Sequence, residues 1–184
     1  LLTQIYSSTS RSSQLIPKLQ VLRTDTPDVT VVVLYLADTQ LLQGQLDDAA
    51  ATFESVIVES GDPAGYPGLI RIDIVRADAD SLINTLQKAL RARVQLREIQ
   101  PSLPEIINDQ EFAQSVVTAC LAAVEKDVGL FPEVTWICAN IAQEIRATDE
   151  VGKLLQATLD RNPNQEIGQD TLQQLGMHHL MNNR

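Results

Sequence analysis

The sequence predicts an all-α fold of antiparallel helical hairpins, with about eight or nine helices by hydrophobic periodicity. Residues 27–61 read as two apolar helices hinged at Gly44, with small Ala49 at their crossing and Phe53 one turn on. A second hairpin of the same kind surrounds Ala147. The side-chain palette agrees: 44% of the 184 residues are hydrophobic but only 4% aromatic, so the core is aliphatic and small, which suits close helix packing better than a β-sandwich.

Residues 1–13 shift from apolar to Ser/Thr-rich and read as a tether. Leu15, Ile16, Leu19 and Leu22 then fall at helical spacing, with Pro17 requiring the helix to start close to it. Thr26, Pro27 and Asp28 supply an N-cap, a first-position proline and an acid at the positive end of the next helix. The β-branched run Val31–Val33 would also suit a buried strand, but the pattern continues unbroken to Gln43, longer than a strand, and Gly44 offers a C-cap. Asp47 and Asp48 open the second helix; Ala49, Phe53, Val56 and Ile57 form its stripe, and Gly61 ends it. Residues 62–68 contain two prolines and two glycines and read as a loop.

A short helix follows from Leu69 to about Arg76. Asp78 or Asp80 caps the next, which carries Leu82, Ile83, Leu86, Leu90 and Val94 on one face, with a bend expected beyond Val94. Pro101 and Pro104 interrupt the pattern. Asn108 and Glu111 have capping-box spacing ahead of a helix that ends at Gly129. Pro132 starts a helix through Ile145, Thr148 caps another up to Asn162-Pro163, and 170–181 forms a terminal helix.

The formal charge of −10 and pI near 4.5 argue against nucleic acid, whose phosphates require a Lys/Arg footprint, and against anionic membranes. They favour a basic partner. The charge is uneven: residues 25–70 hold eight acids and no Lys or Arg, whereas Arg71, Arg76, Lys88, Arg91, Arg93 and Arg97 follow closely. Cys120 and Cys138 lack a CxxC spacing and sit among apolar neighbours, so they read as small buried hydrophobes rather than a disulfide or metal pair. No apolar run is long enough to span a membrane. The compartment stays open with a cytoplasmic one favoured, and the start at Leu1 rather than Met leaves room for an upstream part.

Internal recurrence sharpens the reading. Overlaying the two hairpins pairs Val33 with Trp136, Leu36 with Ala139, Ala49 with Gly152 and Val56 with Leu159, an offset close to three periods of about 34 residues. Asp78 lies one such period after Gly44, while the register is lost at residue 112. With Leu36, Ala37, Gly44, Ala49, Phe53 and Gly61-Asp62-Pro63 in the first unit, and Trp136, Gly152 and Asn162-Pro163 in the later one, the chain resembles the tetratricopeptide repeat (TPR) family. It departs from the family at Gln40, where an aromatic is expected, and at 100–108, which break the period.

The resemblance implies a single α-α superhelical domain over 1–184, with best units at 27–61, 66–98 and 131–165. It implies a non-catalytic scaffold that binds a protein or extended peptide in a groove lined by the first helix of each hairpin. By matching positions the groove residues are Val31, Leu34, Asp38, Leu41 and Leu42, then Val134, Ile137, Ile141, Glu144 and Ile145. Leu34 and Asp38 stand where a carboxylate-clamp subclass has Lys, Asn and Arg, so that subclass is not expected. The same apolar residues would equally serve packing against a neighbouring helix or a second copy, and the alternative role is a structural or dimerisation domain.

Catalytic signals are sparse. His178 and His179 are adjacent, diverge by about 100° on a helix, and cannot chelate one metal as an i, i+4 pair would; they read as solvated. No GxSxG, HExxH, Walker or GxGxxG motif occurs, and the acids of residues 46–50 and 147–152 look like helix-start charges. No enzyme activity, metal or cofactor is expected. The basic helix 81–97 is a solvated face or a dock for acid, including the acidic first hairpin of another copy.

Overall fold

The computed structural model describes residues 12–25, 29–126, 129–161 and 163–182. Helices account for nearly all of them, with no strand among the described residues. The chain divides into two compact units, Leu1–Ile72 and Asp73–Arg184. Most of the expected tether, 1–11, lies outside the described residues, as does the expected Thr26–Asp28 helix start; Ser12 and Ser13 already belong to a helix.

In the first unit, α1 (Ser12–Asp25) carries Pro17 inside it rather than at its start, and lays Leu15, Ile16 and Leu19 against Leu36 and Tyr35 of α2 (Thr30–Leu42). A reversal joins α2 to α3 (Leu46–Ser60). Gly44 adopts φ +74°, its N–H donates to the Leu41 carbonyl at 3.0 Å, and Gln45 N–H donates to the Gln40 carbonyl at 3.0 Å. This is the paired bonding of a Schellman C-cap, which needs a left-handed residue and so favours glycine. The hairpin closes over Ala37, Leu41, Ala49, Phe53 and Ile72, and Ala49 is fully buried where the helices cross.

Helix α4 (Tyr66–Val75) begins inside the stretch that reads as loop. The Asp62 carboxylate accepts the Ala64 N–H at 2.9 Å, Pro63 opens a 3₁₀ turn, and Pro67 falls in the first helical turn, where a missing N–H costs nothing. Prolines and glycines here start a helix rather than prevent one.

In the second unit, the expected long basic helix is divided. Helix α5 (Ala79–Arg91) is capped by Asp78, whose carboxylate accepts the Ser81 N–H at 2.9 Å, and it ends before a left-handed Arg93 (φ +66°). Short helices α6 (Leu96–Ile99) and α7 (Leu103–Asn108) follow, separated by a 3₁₀ turn at Pro101. The cap of α8 (Gln110–Glu125) is Asp109 rather than Asn108, accepting the Phe112 N–H at 3.0 Å. Helices α9 (Pro132–Glu144) and α10 (Thr148–Asp160) form the second complete hairpin, and α11 (Gln165–Asn182) packs on α10. The last helix starts five residues before the expected Asp170 because the Asn164 side chain accepts the Ile167 N–H at 3.0 Å.

The turn after α2 recurs. Ala77 (φ +52°) follows α4 with Ala77 N–H to Ile74 O and Asp78 N–H to Asp73 O, each 3.0 Å. Arg146 (φ +61°) follows α9 with Arg146 N–H to Gln143 O at 3.1 Å and Ala147 N–H to Ala142 O at 2.8 Å. Arg93 after α5 makes the same two bonds, to Leu90 O and from Val94 N–H to Ala89 O, each 3.0 Å, but only residues 44, 77 and 146 lead into a full helix two residues on, and these mark equivalent places. They correct the sequence overlay by one residue. Gly44 matches Arg146, not Ala147, so Ala37 pairs with Ala139, Phe53 with Leu155 and Val56 with Thr158, all of them buried. The period also fails where expected, since residue 112 lies inside α8.

Candidate interaction surface

Helix α2, TVVVLYLADTQLL, carries apolar side chains on every side with Asp38 its one charge, and a helix of that composition is ordinarily covered over most of its surface. It is not covered. Leu36, Ala37 and Leu41 are buried, but Val31 is 72% exposed and Leu42 63%, which leaves two large apolar side chains in solvent eleven residues apart. At 100° per residue, Val31, Tyr35, Asp38 and Leu42 fall on one stripe. Asp38 receives a 2.9 Å hydrogen bond from Arg71 Nη1 of α4, both side chains about two-fifths exposed (42% and 37%), so the pair contributes little to stability and is open to exchange with an incoming group.

The structure divides the ten expected groove residues. Val31, Asp38 and Leu42 share the exposed stripe, with Leu34 at its edge packed on the Ala37–Phe53 cluster. Leu41 lies inside that cluster. In the later hairpin Val134, Ile137 and Ile141 are buried in the second unit's core, because α9 is contacted by α5, α7, α8, α10 and α11 and has little surface to offer. Glu144 is exposed and Ile145 half-buried at the end of α9. Tyr35 of α2 and Arg71 of α4, which pairs with Asp38, were not anticipated at this surface; the signal for Arg71 is its place as the first base after eight acids.

The surroundings are acidic, with Asp47, Asp48, Glu54 and Glu59 all on α3 and at least partly open to solvent. Glu59 meets Arg23 at 3.7 Å, and Arg23 also donates to Ser55 Oγ at 3.1 Å, which ties α1 to α3. Beside this tie lies an open cleft of ≈ 620 Å³ lined by polar Gln20, Thr24, Gln40 and Asp48.

In the second unit Trp136 is half-buried and occupied. Its Nε1–H donates to Asp170 Oδ2 at 2.8 Å, and Gln174 Nε2 donates to Asn140 Oδ1 at 3.2 Å, which fixes α11 to α9; Gln174 also steadies Asp170 within α11 at 2.8 Å. His178 is not solvated as the sequence suggests. Its ring fills the space over Gly152, where a Cβ would come within 2.8 Å of Nε2; the smallness of Gly152 therefore serves α11 and not a crossing with α9. The His178 and His179 rings diverge at 66°. Among the described residues no three His, Cys, Asp or Glu side chains are grouped to hold a metal, and no helix is long and apolar enough to cross a membrane.

Cys120 of α8 and Cys138 of α9 are free and fully buried. A hydrogen bond with Cys120, then burial, then the electrostatic influence of Cys120 hold the Cys138 thiol well above its ordinary pKa. A thiol held protonated in this way is a poor nucleophile.

Helices paired through left-handed turns make the described residues an all-α structure of antiparallel hairpins. No protein-family model matches the sequence, and no curated protein matches it. Among solved structures, the crystal structure of a thermophilic TPR protein in Thermus thermophilus matches at 16% identity with a TM-score of 0.42, covering 97% of this chain and 95% of that one.

Proposed function

We propose that this chain is a non-catalytic protein-binding module whose first recognition element is the exposed face of α2. The observation that carries this is Val31 and Leu42 standing in solvent on an apolar helix, flanking the exchangeable Asp38–Arg71 pair. Apolar anchors around a polar centre are what a partner helix or extended segment engages. The acid-rich surroundings of residues 25–70 favour a basic partner. Glu144 and Ile145 remain available on the later hairpin, whereas Leu41, Val134, Ile137 and Ile141 act through packing.

The test replaces Val31 and Leu42 by Glu in the full chain. Partners enriched by the wild-type protein are expected to be lost by the variant, with the helical circular dichroism and thermal midpoint unchanged. Retention of every partner would sink the assignment of this face.

A further inference from the structure

We infer that α11 is a self-association face, through which two copies of the chain pair antiparallel about a two-fold axis at Gly176. This goes beyond the α2 reading and uses none of its residues.

One side of α11 is committed to the unit: Ile167 and Thr171 are buried, Gln174 bonds to Asn140 of α9, and His178 lies over Gly152 of α10. The opposite side is bare. Leu172 is 60% exposed and Leu180 72%, with Gln169, Gln173, Gly176 and His179 exposed between and beside them. Gly176 has no physical reason within the chain. Glycine is the poorest ordinary residue for a helix interior, and a Cβ here would meet nothing within 4 Å.

The pattern around that glycine is its own mirror. Leu172 and Leu180 lie four residues to either side, and Gln173 and His179 three. A two-fold axis through Gly176 sets Leu172 against the second copy's Leu180 and the reverse. Gln173 then faces His179 of that copy, and the missing side chain admits close approach where the helices cross. Self-complementarity of this kind is what an isologous contact requires.

Charge selects the same face. Copies with a net charge of −10 repel, yet from Thr171 to Asn182 α11 carries no Asp, Glu, Lys or Arg. The contact is therefore made where the repulsion between copies is weakest, and antiparallel pairing sets each helix end against its electrostatic opposite. A face one helix wide falls at or below the lower end of stable interfaces, about 1,200 Å². The dimer is accordingly reversible and concentration-dependent.

Sedimentation velocity on the full chain across the micromolar range is expected to show a monomer–dimer equilibrium. L172K with L180K should leave only monomer while circular dichroism stays unchanged. As an independent readout, Gly176→Cys places a thiol on the axis. Two such thiols, giving up two protons and two electrons to dissolved oxygen, should join into a covalent dimer, whereas Val58→Cys, exposed on α3 of the other unit, should not. A monomer at every concentration, or a dimer that survives the lysine pair and does not cross-link through position 176, would overturn the inference.

Discussion

Gly68 of α4 lies against the ring of Phe53 of α3, so closely that a Cβ on it would stand 2.3 Å from Cε1 and Cζ. The ring is 2% exposed and cannot move aside. G68A is therefore expected to destabilise the first unit by about 1–3 kcal/mol, the usual cost of overpacking. Combining it with Phe53→Leu should cost less than the sum of the two single changes, because the smaller side chain vacates the space. Urea unfolding of the four proteins measures the coupling, and simple additivity would show that the two residues do not compete for one volume.

The three equivalent turns carry Gly44, Ala77 and Arg146, though all demand a left-handed backbone. Ala77→Gly should stabilise by roughly 0.5–1 kcal/mol, the relief of Cβ crowding less the added freedom of the unfolded chain. The gain from Arg146→Gly should be smaller, since a cation at a helix C-terminus contributes about 0.3–1 kcal/mol that the change discards. Equal gains at both positions in denaturant titrations would show that the dipole contribution is negligible here.

Much of this architecture is legible in the sequence because glycine and helical periodicity speak locally. Gly44 announces its turn; Ala77 and Arg146 do not, as a C-cap formed by an ordinary L-residue leaves no compositional mark. That silence is why the repeat overlay slips by one residue. The start of α4 is hidden for a related reason, since Pro67 and Gly68 resemble loop residues until Phe53 supplies the reason for the glycine. At the interaction surface, the resemblance points to Val31, Asp38 and Leu42 of α2 but also to Leu41, which is buried, and it passes over Tyr35. It cannot show that α5, α7, α8, α10 and α11 all contact α9, which turns the corresponding Val134, Ile137 and Ile141 into core.

The corrected register makes a prediction of its own. Thr135 and Thr158, both fully buried with hydroxyls 2.9 Å apart, occupy the places held by Val33 and Val56 in the first hairpin. Thr158 also reaches the Leu154 carbonyl and Thr135 the Pro132 carbonyl. Each of these carbonyls belongs to the Thr's own helix, so neither depends on the inter-helix contact. Replacing both hydroxyls by isosteric methyls removes donor and acceptor together, which is nearly neutral or stabilising. T135V/T158V should accordingly keep the wild-type thermal midpoint within a few degrees. A large loss would mean that the second hairpin is specified by its buried hydroxyl pair and is not interchangeable with the first.

Cys138 gives the protein a pH dependence of known sign. Its thiol keeps its proton in the folded chain through the hydrogen bond with Cys120 and through burial. In the unfolded chain it titrates near the ordinary value of about 8.5. Below that pH both states hold the proton, and the group's contribution to stability is fully present and constant. Above it the unfolded state releases the proton first, so unfolding becomes easier as pH rises, by at most about 1.4 kcal/mol per pH unit for one group. Free energies of unfolding measured from neutral pH into the alkaline range should fall from about pH 8.5 in the wild type. In C138A the same range should show a shallower decline from a lower starting stability, since alanine leaves a void but no titrating thiol. An unchanged slope in the variant would assign the alkaline loss to other groups.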